Sequence, residues 1–448
     1  MSAARFSQAV AAQFDQICHL LFDKLESGEE LSVNLAAEET LFLRLNNNRV
    51  RQNTDVSQCV LSLRYQGGGR TVDHTLTLSR QEAQDRVAAL AALARCRSEA
   101  ALLPPDPFQV AMANHGNSRE EFVGQLLAPE PLLHAIVGPA AGCDMVGFYA
   151  GGTLIRANRN SKGQSHWFAS DNFFFDYSLY DGPKAVKGVY CAAVWSEADW
   201  SANLERSKRA LALLQRPVQN IRPGAYRTYL APAAFSDLVG MMGWGALSGA
   251  AWKQGRSPFK KLAEQELRLS PLLSIDENFG MGLAPRFNEL GEVAPERLPL
   301  ISEGALANLL ISSRSAKEYG LQANGASGGE SPRALDVAPG TLAAPDVLAA
   351  LGSGLYLSNL HYLNWSDPVS ARVTGMTRYA CFWVEGGEIV GPINNLRWDE
   401  SLYEALGSKL LALGQTAEIS PETGTYSHRN PGGIRAPGAL IEGFNFTL

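Results

Sequence analysis

Six cysteines, Cys18, Cys59, Cys96, Cys143, Cys191 and Cys381, are scattered along the chain, and no two form a CxxC pair. That excludes a zinc ribbon and a disulfide framework and fits a reducing compartment. Seven histidines, His19, His74, His115, His134, His166, His361 and His428, never fall within five positions of one another. No HExxH helix pair is therefore present, and a metal site would have to assemble from distant residues. GxSxG and GxxxxGK[ST] are absent as well, which removes a nucleophile elbow and a phosphate-binding loop. "GPINN" and "GGG" read as turns, and the two lysines of "YDGPKAVKG" as a solvated loop. The net charge of -6 comes without clustered Lys or Arg, so a dedicated nucleic-acid surface is not expected. The uncharged stretch from Leu238 to Trp252 has 15 residues, short of the ~20 of a membrane span. Ser7, Gln8, Gln13 and Asp15 interrupt the N-terminal stretch, so a signal-peptide core is missing and the expected location is the cytoplasm.

What is present is the pattern of a folded protein. The 448 residues are 46% hydrophobic and 19% charged, enough for two or three domains. Phe6, Val10, Phe14, Ile17, Leu21 and Leu25 recur at helical spacing. Leu41, Leu43 and Leu45 share a strand face. Cys59, Leu61, Leu63 and Tyr65 share another, and after "QGGG" so do Val72, His74, Leu76 and Leu78, as in an antiparallel hairpin. His74 reads as a sheet-face histidine. Ser79 with Glu82 predicts a capping box for a helix reaching about Arg97. Beyond "LLPPDPF" the pattern predicts a helix near Arg119–Val137. Then come strands in "GCDMVGFYAGG", "GTLIRANRN", "SHWFASDNFFFDYSLY" and "VKGVYCAAVWS", and a helix over roughly Trp200–Leu214. "QRPVQNIRPGAY" reads as a linker. The expected architecture is α+β in two domains: residues 1–217 of mixed helix and antiparallel strand, and residues 218–448 rich in strand around a central glycine-rich helix.

That helix contains "DLVGMMGWGALSGAAWK", Asp237 to Lys253, with Gly240, Gly243, Gly245 and Gly249 in ten positions. Each interior glycine costs a helix about 1 kcal/mol relative to alanine. Gly245 and Gly249, with Ala246 and Ala250, form a small-residue stripe suited to close packing. Trp244 and Trp252 are expected in the core. "NGASGGESPR" (Asn324–Arg333) reads as a flexible loop, and His361, close to Asn364 and Asp367, as a residue with a structural hydrogen bond.

"GLYLSNLHYLNWSDPVSARVTGMTRYACFWVEGGEIVGPINNLRW" (Gly354–Trp398) resembles the signature of the TldD/PmbA family, first called a modulator of DNA gyrase and later treated as metallopeptidases. The matched residues include His361, Asn364, Thr374, Gly375, Arg378, Gly391 and Pro392, to which no catalytic role is assigned. The resemblance implies two branches. The TldD branch carries HExxxH on the central helix and a cysteine near the C-terminus, which together make a zinc site. The PmbA branch, also called TldE, lacks the motif and pairs with TldD. Aligning that motif on Ser236–Phe259 puts Gly240 and Met241 at the His-Glu pair and Gly245 at the second His. No His or Glu occurs from Phe235 to Leu262, and no cysteine follows Cys381. The stretch therefore resembles the family's metal helix without its ligands.

Two functions from different classes remain. In the first, the chain is a non-catalytic subunit of a two-component metallopeptidase. It carries no cofactor itself and holds unfolded or leader peptides, while a TldD-like HExxxH partner supplies zinc. In the second, it is a homomeric peptide-binding or regulatory protein. Either implies a dimer, hetero or homo, with no direct nucleic-acid contact and no membrane association.

Overall fold

The computed structural model describes residues 3–447. In the first half, helix α1 (Ala3–Phe22) is followed by strands β1 (Glu29–Asn46), β2 (Arg49–Gly67) and β3 (Arg70–Thr77). Helix α2 (Glu82–Ala100), strand β4 (Asn117–Phe122) and helix α3 (Pro129–Val137) come next. Strands β5 (Asp144–Asn160), β6 (Ser165–Asp181) and β7 (Lys184–Ala192) and helix α4 (Glu197–Leu214) complete this half. The strands form one seven-stranded sheet in the order β3-β2-β1-β5-β6-β4, with β7 also on β6. Antiparallel register sets Leu31 opposite Tyr65, Val33 opposite Leu63 and Leu35 opposite Leu61. This face is buried under the apolar sides of α1 and α2. Farther along β1, Leu43 and Leu45 join a second core beneath α3 and α4.

Three expectations for this half change. The glycine pair Gly151-Gly152 does not separate two strands, because β5 runs straight through it. A Cβ on Gly151 would strike the Tyr149 hydroxyl, and one on Gly152 the Glu39 carbonyl, so these glycines serve close approach inside a sheet. The helix expected near Arg119–Val137 is instead β4, paired parallel with β6, followed by α3, which starts at Pro129. The capping box is absent. Helix α2 starts at Glu82 after Gln81, while the Ser79 amide and hydroxyl both donate to Asp85, at 2.7 and 2.8 Å.

The second half begins with β8 (Gly224–Leu230), α5 (Pro232–Gly240), α6 (Gly249–Lys253) and α7 (Lys260–Ala263). It continues with β9 (Ile275–Asn278), β10 (Arg297–Ser302), β11 (Ala305–Leu306), α8 (Ser313–Tyr319), β12 (Ala334–Val337) and α9 (Val347–Leu351). Last come β13 (Gly354–Asp367), β14 (Arg372–Glu385), β15 (Glu388–Pro392), β16 (Arg397–Ser401), α10 (Leu402–Ala405), β17 (Leu410–Pro421) and β18 (Gly433–Phe446). These strands build an eleven-stranded sheet. Within it β18, β16, β14, β13 and β8 close into a ring, because β8 pairs with both β13 and β18. The buried side chains of α5 belong to the ring's core, with Leu355, Leu357, Ile441 and Phe444. The chain is thus a two-domain α+β protein, and residues 215–223 connect its sheets. The β14–β15 hairpin ties the halves together: Ala380 and Phe382 lie in the core under α3 and α4. No described helix is long and apolar enough to cross a membrane.

Candidate functional site

Pro232 opens α5, where its missing amide hydrogen is no loss. Ala234, Phe235, Leu238 and Val239 turn inward and are fully buried. The opposite face, Ala233, Asp237 and Gly240, looks out from the core. The helix expected over Ser236–Phe259 breaks after Gly240. A 3-10 turn covers Met241–Gly243, and Gly245 adopts φ +88°, a left-handed conformation that a regular helix cannot include. Ser248 then caps α6, accepting from the Ala251 amide at 3.0 Å.

The glycines have separate reasons. A Cβ on Gly240 would start 3.3 Å from Ile434 Cδ1, and one on Gly243 3.4 Å from Pro332 Cδ. Gly245 has room, since only Ala251 Cβ at 3.8 Å lies near, but its backbone demands glycine. Gly249 is the tight contact: its Cβ would meet Ile311 Cγ1 at 2.9 Å. The break also overturns the expectation for Trp244, which is 60% exposed instead of packed in the core. Its carbonyl accepts from Trp365 Nε1 at 3.2 Å. Trp252 is half-buried, with the Lys253 ammonium 4.2 Å from its ring centre.

The broken segment is held by Glu330, from the stretch expected to be flexible. That stretch is instead packed: Glu330 is buried, and Arg333 stacks over Phe279 with 4.6 Å to the ring centre. One Glu330 carboxylate oxygen accepts from Ser248 Oγ at 2.6 Å and from the Ala250 amide at 2.8 Å. The other accepts from the Ser312 amide at 2.8 Å. Burial by itself raises this carboxyl, but the hydrogen bonds from Ser248, Ala250 and Ser312 outweigh it and hold the group below its ordinary pKa.

The positions aligned with zinc ligands do not suit a metal. Gly240 and Gly245 offer no side-chain donor, and Met241 is buried in the apolar core. Among the described residues, no group of three His, Cys, Asp or Glu side chains is placed to hold a metal ion. All six cysteines are free thiols, and Cys381 is buried in β14.

The signature residues divide by role. Thr374 Oγ1 donates to the Trp398 carbonyl at 2.9 Å. A Cβ on Gly375 would lie 2.5 Å from the buried Trp398 ring. Gly391 abuts the Pro217 carbonyl, and the Pro392 carbonyl accepts from the Gln219 amide at 2.7 Å, which seals β15 to the connecting segment. His361, Asn364 and Arg378 belong to a distorted part of the β13–β14 pair, with register shifts between Leu357 and Asn359 and between His361 and Asn364. Tyr362 and Tyr379 take positive φ there. Asn364 is exposed opposite Thr374. The hydrogen bond expected of His361 is not found among the described residues. Asp367 instead accepts from the Val369 amide at 3.0 Å, and the imidazole lies against Tyr362, with ring centres 4.4 Å apart. Burial, then the charges of Arg378 and Lys187, push His361 below its usual pKa.

Next to this distortion a cavity of about 480 Å³ opens between the halves. Its wall is mostly apolar and includes Tyr229, Tyr356 and Phe382, with Lys187 from β7, Ala233 from α5 and Asn359 from β13. Asp237 lies one turn beyond Ala233 and accepts from the Leu360 amide at 3.3 Å. Asp237 is an exposed residue, and the protein packed near its carboxylate partly desolvates it. That desolvation, opposed by the Leu360 amide and Lys187, pushes its pKa up to about 6. Sequence reasoning noted Asp237 only as an end charge. Its signal was that no other acid occurs from Phe235 to Leu262. A smaller cavity of about 190 Å³ is lined by Arg64, Asp106, Glu292 and Arg314. Its arginines are already paired, Arg64 with Asp73 and Arg314 with Asp106.

Known structures share this architecture. Over 97% of this chain and 100% of its own, TldE from Thermococcus kodakarensis matches with a TM-score of 0.77 at 14% identity. A putative modulator of DNA gyrase from Thermotoga maritima matches with a TM-score of 0.78 at 16% identity, over 98% of this chain and 100% of its own. At such identities the likeness establishes the fold. A family model described as the PmbA/TldA metallopeptidase C-terminal domain matches residues 223–448, half of the chain, and the protein belongs to this family. Metalloprotease PmbA of Escherichia coli O157:H7 is 30% identical over 192 residues, 41% of this chain. The match spans only 40% of that relative's length.

Proposed function

We propose that this chain is the non-catalytic subunit of a two-component metallopeptidase acting on unfolded or leader peptides. A homologue bearing HExxxH supplies the zinc and the general base, and this chain contributes the peptide-holding cleft beside α5. One observation carries the reading: none of the three aligned ligand positions offers a metal donor. Ile434 faces Gly240, Met241 lies in the core, and Gly245 sits in a left-handed turn that a histidine rarely adopts. Zinc hydrolysis needs three donors and an activated water held together, so the chemistry is assigned to the partner. Homologous folds can pair across a two-fold-like interface as identical chains do.

The test is reconstitution. Each chain is purified alone and together and given an unfolded polypeptide such as casein. Cleavage that appears only with both chains is the expected result. An HExxxH homologue fully active by itself and eluting apart from this chain would leave a homomeric peptide-binding protein instead.

A further inference from the structure

We propose that the interdomain cavity and Asp237 form a site for the free amino end of an apolar peptide. The ammonium pairs with the Asp237 carboxylate, and the first side chains lie along the cavity wall. The inference rests on the peptide-holding part of the function proposed above and specifies which end of the chain is held.

Asp237 does not itself line the cavity, but three neighbours place it beside the wall. Ala233, one helical turn earlier on α5, lines it. Asn359 lines it too, beside the Leu360 amide that donates to Asp237. Lys187 lines it, and its charge reaches Asp237. The Asp237 carboxylate is under-used. Its one hydrogen bond is the 3.3 Å contact from Leu360, and among the described residues no Lys or Arg stands within 4.0 Å. Lys187 is committed to Asp176 at 2.9 Å. Lys187 is therefore shared between Asp176 and, at longer range, Asp237, while Arg209 on the α4 wall makes no ion pair within 4.0 Å among the described residues. His361 on β13 has its pKa depressed and adds little charge at neutral pH, while Arg378 on β14 is exposed and stacks on Tyr379. Arg206 on the α4 wall is paired with Glu418 of β17 at 3.0 Å.

An exposed carboxylate with a single long hydrogen bond, next to an apolar wall, matches a ligand with a cation at one end and apolar groups beside it. The amino end of an unfolded apolar peptide has that form. A free peptide carboxylate would meet Asp237 as a like charge.

The test uses the full chain and one probe, a pentapeptide of alanine and leucine with a dye at its carboxy end. The probe is made with a free and with an acetylated amino end, and binding is followed by fluorescence anisotropy. Near neutral pH the free-amine probe is expected to bind about tenfold more tightly than the acetylated one. The advantage fades as pH falls through about 6, where Asp237 takes a proton. It fades again above about pH 8, where the α-amine loses one. Asp237→Asn abolishes the advantage and leaves binding of the acetylated probe unchanged. Equal binding of both probes to the unaltered protein overturns the terminal anchor, as does an advantage that survives in D237N. Neither result touches the subunit reading, which is judged by reconstitution. Binding of neither probe overturns the site and the peptide-holding role together.

Discussion

Ile434 of β18 closes on Gly240 of α5: a side chain begun at the glycine would start 3.3 Å from the isoleucine Cδ1. At the position that the resemblance aligns with the first histidine of the TldD branch, this chain has a glycine, and the Ile434 methyl group closes on the space beside it. We predict that Gly240→His binds no zinc and lowers stability by about 1–3 kcal/mol through overpacking. Elemental analysis and thermal melting check it. One retained zinc per chain would show that the position still has a working coordination shell.

Gly245 and Gly249 should respond differently to substitution. At Gly245 the difficulty is the backbone, so Gly245→Ala is expected to cost about 1–2 kcal/mol and Gly245→Asn less, because Asn tolerates a left-handed φ better. At Gly249 the difficulty is Ile311, 2.9 Å from a would-be Cβ. Gly249→Ala is expected to cost about 1–3 kcal/mol, and Gly249→Asn more. Urea unfolding ranks the four variants. Matching orders at both positions would mean that one packed stripe governs them.

Glu330 should be a strong anchor of the broken segment. Glu330→Ala leaves the Ala250 and Ser312 amides without their acceptor, at an expected cost of about 2–4 kcal/mol. Because the folded pKa is depressed, the carboxylate's contribution is present above the ordinary glutamate pKa of 4.5 and is lost as pH falls through the folded value. The stability gap between the unaltered protein and E330A should therefore narrow in acid. A gap constant from neutral to acid pH would count against the charged form as the anchor.

Asp237 carries the opposite sign. Its folded pKa of about 6 exceeds the ordinary 3.8, so protonation favours the fold. The stabilisation is full below about 3.8 and lost as pH rises through about 6. Asp237→Asn is accordingly expected to stabilise the protein at neutral pH. Discounted for the open side of the carboxylate, the gain is about 1 kcal/mol, or ~2–4 °C. The gain should vanish below about pH 4. Melting curves at both pH values decide it, and a lower melting point for D237N at neutral pH would indicate that the carboxylate is already well partnered.

Much of the fold was legible because it is local. The spacing of Phe6, Val10, Phe14, Ile17 and Leu21 put α1 on its sheet, and alternation from Cys59 to Leu78 marked the β2–β3 hairpin. The alternating runs within Gly354–Val390 marked β13, β14 and β15, while β16 carried no such signal. What escaped depends on partners distant in sequence. Gly151 and Gly152 look like a turn until Tyr149 and Glu39 are placed beside them. The break after Gly240 is set by the left-handed Gly245 and by Glu330. Trp244 reads as a core residue until that break turns it outward. Asp237 gains interest only when the Leu360 amide and the cavity stand next to it.

The central claim is that hydrolysis belongs to a pair of chains and that this chain brings no metal to it. Native mass spectrometry of the chain co-expressed with an HExxxH homologue tests it most directly, because one spectrum reads both assembly and metal content. The account predicts heteromers with one zinc for each HExxxH chain and none for this one. A metal-loaded homomer of this chain, or two populations that never mix, would contradict it.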